Sequence, residues 1–163
     1  MRGCFPVMNG GDGVILSKRG DVCYGWEVVL PPAFRCNEQR YDTIVQALFS
    51  AVTLLPDYTI VHKQDVYMKK KYVAEKSDGL LQEAYERHFD GREYLDHRCR
   101  IFVTFSTRRN VQGANSGLLG ILSGAGMPKG DVLARYSASA DQFEAVVQSC
   151  GLLELRRFTE AEV

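Results

Sequence analysis

The chain carries none of the familiar complete catalytic or cofactor motifs. No Gly-x-x-x-x-Gly-Lys-Ser/Thr loop is present to cradle a phosphate, and no Cys-x-x-Cys pair to hold zinc. His-Glu-x-x-His, Gly-x-Ser-x-Gly and Gly-x-Gly-x-x-Gly are missing too. It also lacks an excess of charge of either sign. Twenty Lys and Arg balance twenty Asp and Glu, which argues against a dedicated nucleic-acid binder, since such proteins carry a net basic face that releases phosphate counterions. No apolar run approaches the ~20 residues of a spanning helix, and Met1-Arg2-Gly3-Cys4-Phe5-Pro6 has no apolar core of a secretory signal. Five widely spaced cysteines, an odd number, speak against a disulfide framework and for reduced thiols in a cytosolic compartment.

What is present is an ordinary globular composition, 45% hydrophobic and 25% charged over 163 residues. This is most simply one domain, residues 1–163, that buries roughly 70% of its unfolded surface. Gly13–Ser17 and Asp21–Leu30 are rich in β-branched and aromatic residues, and Gly20 between them can take the positive φ of a tight turn, so the pair reads as a β-hairpin. Pro31-Pro32 ends it. Asn37 is a helix N-cap. Tyr41, Ile44, Val45, Leu48, Phe49, Val52 and Leu55 then recur at helical spacing up to Pro56. This predicts a helix over 38–55 that buries Ile44, Leu48 and Val52 against a sheet. A third strand follows over 57–67, a second helix over 80–89, a fourth strand over 95–106, a last helix capped near Ser139, and a fifth strand over 152–158. The order predicts an α+β fold: an antiparallel or mixed sheet of four or five strands, with two or three helices mainly on one face.

The polar clusters are weak as chemistry. His62, His88 and His97 fall on three different elements, so a metal site is not expected. His62-Lys63-Gln64-Asp65 could pair a His with an Asp for acid/base work, yet no nucleophile is spaced to use it; a polar strand face or an edge that meets another domain is the simpler reading. Glu86-Arg87-His88-Phe89 with Tyr94-Leu95-Asp96-His97 reads as a helix end whose basic residues complement the dipole, or as a docking surface. Lys69-Lys70-Lys71, with Arg108 and Arg109, could touch phosphates or anionic head groups, although most such runs are solvated. Gly124–Asp131 resembles a phosphate loop only faintly, because Pro128 removes an amide donor. Gly117–Gly126 has four glycines in ten residues and reads as a loop.

Four stretches read together carry a resemblance: Ile15-Leu16-Ser17-Lys18-Arg19-Gly20-Asp21-Val22; Leu54-Leu55-Pro56-Asp57-Tyr58 with His62-Lys63-Gln64-Asp65; Tyr85-Glu86-Arg87-His88-Phe89; and Tyr94-Leu95-Asp96-His97. In that order they resemble the N-terminal region of TraG-type conjugation ATPases of Bacteroides-like conjugative transposons, relatives of the large ATPase of type IV secretion. The resemblance implies an N-terminal fragment of a longer protein whose P-loop motor, with its ATP and Mg²⁺, lies beyond Val163. It implies no catalytic, cofactor or metal residue in this stretch. It implies a non-catalytic assembly role with other secretion-channel proteins, with the parent's own motor and in a homo-oligomer of the full-length protein, supporting DNA transfer between bacteria. The implied place is the cytoplasm, peripheral to the inner membrane. His62, Lys63, Gln64, Asp65, Glu86, Arg87, His88, Tyr94 and His97 form the expected interaction surface. A nucleic-acid contact module built on Lys69, Lys70, Lys71, Arg108 and Arg109 is the alternative.

Overall fold

The computed structural model describes residues 7–11, 13–17, 20–31, 36–76, 79–106 and 130–159. Arg108, Arg109, the glycine-rich stretch and the faint phosphate loop up to Lys129 lie outside them. The architecture is α+β, with strands β1 (Val7–Gly11), β2 (Val14–Ser17), β3 (Val22–Val29), β4 (Thr59–Lys71), β5 (Glu93–Phe105) and β6 (Glu154–Arg157) and helices α1 (Glu38–Thr53), α2 (Leu80–Phe89) and α3 (Gly130–Gln148). The sheet order is β1-β2-β3-β5-β4, and β6 also pairs with β3. Pairing along β1-β2-β3-β5 and between β3 and β6 is antiparallel.

The chain divides into two compact units, Met1–Gln64 with Cys99–Val163, and Asp65–Arg98. In the first unit the hairpin is where its residues placed it. Gly20 takes φ 82°, the turn closes through bonds between Ser17 and Gly20 and between Ser17 and Asp21, and Asp21 and Ser17 also bond through their side chains at 3.0 Å. β3 is the hub. Its first half pairs with β2 through Val22 and Tyr24, its second half with β6 through Trp26 and Val29, and its whole length with β5. Strand alternation sends Val22, Tyr24, Trp26 and Val28 to one face, alongside Cys99, Ile101, Val103 and Phe105, and all eight are buried. α3 covers that face with Ala140, Phe143 and Val147. Trp26 meets Phe143 at 5.6 Å, and the Phe105 ring stacks on Tyr136 at 4.8 Å.

Asn37 caps α1 as its position predicts, accepting the Arg40 N–H at 3.0 Å. The packing of α1 differs from expectation. It packs on α3, burying Ala51 fully and Ile44, Leu48 and Leu55 in part, while Val52 stays exposed. At 100° per residue, Ile44, Leu48, Ala51 and Leu55 share one arc, whereas Tyr41, Val45, Phe49 and Val52 fall on the next one round. The periodic apolar positions therefore form two adjacent faces. The last helix also differs: it starts at Gly130 and not near Ser139, which sits in its interior. β4 continues through Lys71 and takes in the lysine run.

On the opposite face of the sheet Phe158 lies against Gly25. Its N–H donates to the Gly25 carbonyl at 3.1 Å, and a Cβ at Gly25 would sit 2.5 Å from the Phe158 ring. Glycine is required there by close approach.

Candidate interaction surface

In the second unit the ends of β4 and β5 are linked by α2. Tyr72 N–H donates to the Arg92 carbonyl at 2.8 Å and Gly91 N–H to the Tyr72 carbonyl at 2.9 Å. Facing side chains run in opposite order along the two strands: Asp65 meets His97, and Lys69 meets Glu93. This strip is a ladder of opposite charges. His97 Nε2 is 2.9 Å from Asp65 Oδ1, and the His97 ring stacks on Tyr67 at 4.5 Å and 9°. Lys69 reaches Glu93 at 2.5 Å, and Lys70 reaches Asp96 at 2.5 Å, with Arg98 at 3.5 Å from the same carboxylate oxygen. The hydrogen bond from Lys70 holds the Asp96 carboxyl below its usual pKa, against the opposing pull of desolvation.

α2 carries one buried acid. Glu86 is 8% exposed, and its Oε2 accepts the Tyr72 hydroxyl at 2.8 Å and the Glu75 N–H at 2.9 Å. The bond to Glu86 pushes the Tyr72 phenol up to about 12. Asp90 accepts the Ala74 N–H at 3.1 Å. An open cleft of about 480 Å³ lies here, lined by Glu75, Glu83, Glu86, Asp90, Lys76 and Arg87.

The residues singled out from sequence thus separate. Asp65 pairs with His97 and not with His62: positions three apart in a strand point to opposite faces, and the His62 ring lies 6.0 Å from Phe102. Glu86 is turned inward as the acceptor that ties α2 to Tyr72. Arg87 pairs with Glu83 at 2.9 Å one turn back along α2, and His88 stands edge-on to Phe89 at 4.9 Å. His62, Lys63, Gln64, Asp65, Arg87, His88, Tyr94 and His97 are exposed, as is Lys71. Among the described residues no group of His, Cys, Asp and Glu is arranged to hold a metal, and no helix is long and apolar enough to cross a membrane.

The feature that the periodic reading of α1 concealed lies in the first unit. Tyr41, Val45, Phe49 and Val52 span an arc of about 80° on α1, and their exposures are 61%, 41%, 66% and 43%. Leu54, Tyr58 and Ile60, which follow α1 in the chain, are exposed as well. A helix normally turns such a stripe to a core; here it stays exposed. The signal was in the sequence, as an apolar arc on α1 too wide for one contact.

No family model and no curated protein matches this chain.

Proposed function

We propose that this chain is a non-catalytic interaction domain that docks a protein partner through the outer stripe of α1. The observation that carries this reading is the alignment of four large apolar side chains, Tyr41, Val45, Phe49 and Val52, on the exposed arc of one helix. Aromatic and aliphatic anchors of this kind dominate protein interfaces. On the resemblance of the four sequence stretches, the domain serves the N-terminal part of a TraG-type conjugation ATPase. Its partners are then secretion-channel proteins or the parent's own motor, at the cytoplasmic side of the inner membrane.

The nucleic-acid alternative is disfavoured by the charge ladder. Two of the three lysines in the basic run are spent on Glu93 and Asp96, and neutralised cations release few counterions.

The test is made in donor cells of a host whose element encodes the protein. Tyr41→Asp with Phe49→Asp should lower the frequency of DNA transfer by orders of magnitude at unchanged protein level. The purified chain should hydrolyse no ATP. Transfer at the parental frequency would refute the conjugative role, and turnover abolished by a substitution within the chain would refute a non-catalytic one.

A further inference from the structure

α1 lies wholly within the first unit, and its outer stripe of Tyr41, Val45, Phe49 and Val52 is exposed. From Thr43 to Leu55 no residue is charged. The charges of the helix, Glu38, Arg40 and Asp42, all fall in its first two turns. At 100° per residue Glu38 and Asp42 lie on or beside the arc of the stripe, whereas Arg40 turns away from it. Whatever covers the stripe must therefore offer an apolar ridge and keep negative charge away from the N-terminal end of α1.

A second copy of α1 meets both conditions when it runs antiparallel. With a twofold axis level with Ala47, Val45 lies opposite Phe49 twice, and Tyr41 lies within one residue's rise, about 1.5 Å, of Val52 twice. Each aromatic ring then faces a valine, the alternation of large and small that lets two apolar ridges interdigitate. The two Asp42 carboxylates stand about 15 Å apart along the helices, beyond a Debye length of about 8 Å. The two helix dipoles also oppose each other. A parallel pair fails on the same residues: each Glu38 and each Asp42 would face its own copy, and the two Phe49 rings would meet.

Resting on the reading of this stripe as a docking surface, we propose that it is also self-complementary: two copies of the free chain pair antiparallel through α1, and the docked partner takes the place of the second copy. Four side chains from each copy make an interface at the small, transient end of the range, below about 1,200 Å². Such a pair is weak and dissociates readily.

Sedimentation equilibrium of the full chain tests the pairing by charge exchange. The wild type should dimerise reversibly at about 100 µM. Val45→Lys and Phe49→Glu should each weaken the dimer about tenfold or more, since each sets a charge against an apolar side chain on both sides of the axis. An equimolar mixture of the two variants should associate more tightly than either alone. The new ammonium of one copy then lies opposite the new carboxylate of the other, while the second contact keeps its valine and its ring. Both positions are exposed, so the variants should keep the wild-type circular dichroism melt. A monomeric wild type at that concentration, a dimer indifferent to either substitution, or a mixture no tighter than its components would overturn the pairing. The docking reading has its own readout, DNA transfer in donor cells, so the two fail separately.

Discussion

The indole N–H of Trp26 donates to Oε2 of Glu144 at 3.0 Å, and Nε of Arg157 donates to the same oxygen at 2.8 Å. Arg157 also lies over the Trp26 ring at 5.6 Å and reaches Asp141 at 2.5 Å. One carboxylate on α3 thus ties together β3, β6 and the helix that covers them. Glu144→Ala leaves the indole donor without its acceptor beside a fully buried ring. The expected cost is about 1–3 kcal/mol, read as a lower urea midpoint at unchanged slope. Glu144→Gln keeps an acceptor oxygen and should cost less.

Gly25 and Phe158 make a second tie. In Gly25→Ala the new methyl would meet the ring at 2.5 Å and 2.8 Å, an overpacking expected to cost about 1–3 kcal/mol. Phe158→Ala should also destabilise, by loss of a buried ring. The double variant should be more stable than the sum of the two losses implies, because the clash needs both partners. Thermal melts of the four proteins complete the cycle, and strict additivity would count against the close approach.

α1 carries a core-facing arc and an exposed apolar arc side by side. Leu48→Asp places a carboxylate on the arc that faces α3 and should largely unfold the domain. Phe49→Asp, one residue on but on the exposed arc, should shift stability by no more than about 0.5 kcal/mol. Circular dichroism melts distinguish them. Equal destabilisation would mean that the two faces are not separate.

The hairpin, the Asn37 cap, α2 and the long apolar strand β5 were legible in the sequence because each rests on local rules: a glycine turn, a side-chain cap, a period of 3.6, a run of β-branched and aromatic residues. What was not legible depends on tertiary placement. Periodicity shows that Val52 is apolar and helical, but which of two adjacent arcs meets α3 is set by packing. Asp65 chooses His97, thirty-two positions away, over His62, because strand alternation sends His62 to the other face. Glu86 looked like a surface charge beside Arg87 and His88. Its burial comes from Tyr72, fourteen residues earlier, which the topology brings to it.

The Tyr72–Glu86 bond makes the second unit sensitive to alkali. Tyr72 ionises near 12 in the fold and near 10 when unfolded. Its contribution is therefore complete below about pH 10 and is lost as pH rises toward 12. A phenolate titration followed by ultraviolet absorbance should show late ionisation from Tyr72 and from Tyr24, whose phenol burial pushes up, and Tyr72→Phe should remove the Tyr72 step and leave that of Tyr24. Tyr72 is one of eight tyrosines; a titration curve that loses no late-ionising component in Tyr72→Phe would contradict the bond.

Asp96 gives the acid counterpart. Its pKa lies below the ordinary value because Lys70 bonds the charged form. Its contribution is present above the unfolded value and falls away as pH drops through the lowered one. In Lys70→Met, the Asp96 carboxyl carbon should titrate at higher pH by nuclear magnetic resonance. An unmoved titration would dissolve the pair.

The central claim, that the outer stripe of α1 meets a protein partner, is tested most directly by site-specific photo-crosslinking in the native host. A photoreactive phenylalanine analogue placed at Phe49 or at Tyr41 should yield the same discrete adduct with a second polypeptide. At Asp57, which is exposed but off the stripe, it should yield none. No adduct from either helix position, or the same adducts from all three, would contradict the account.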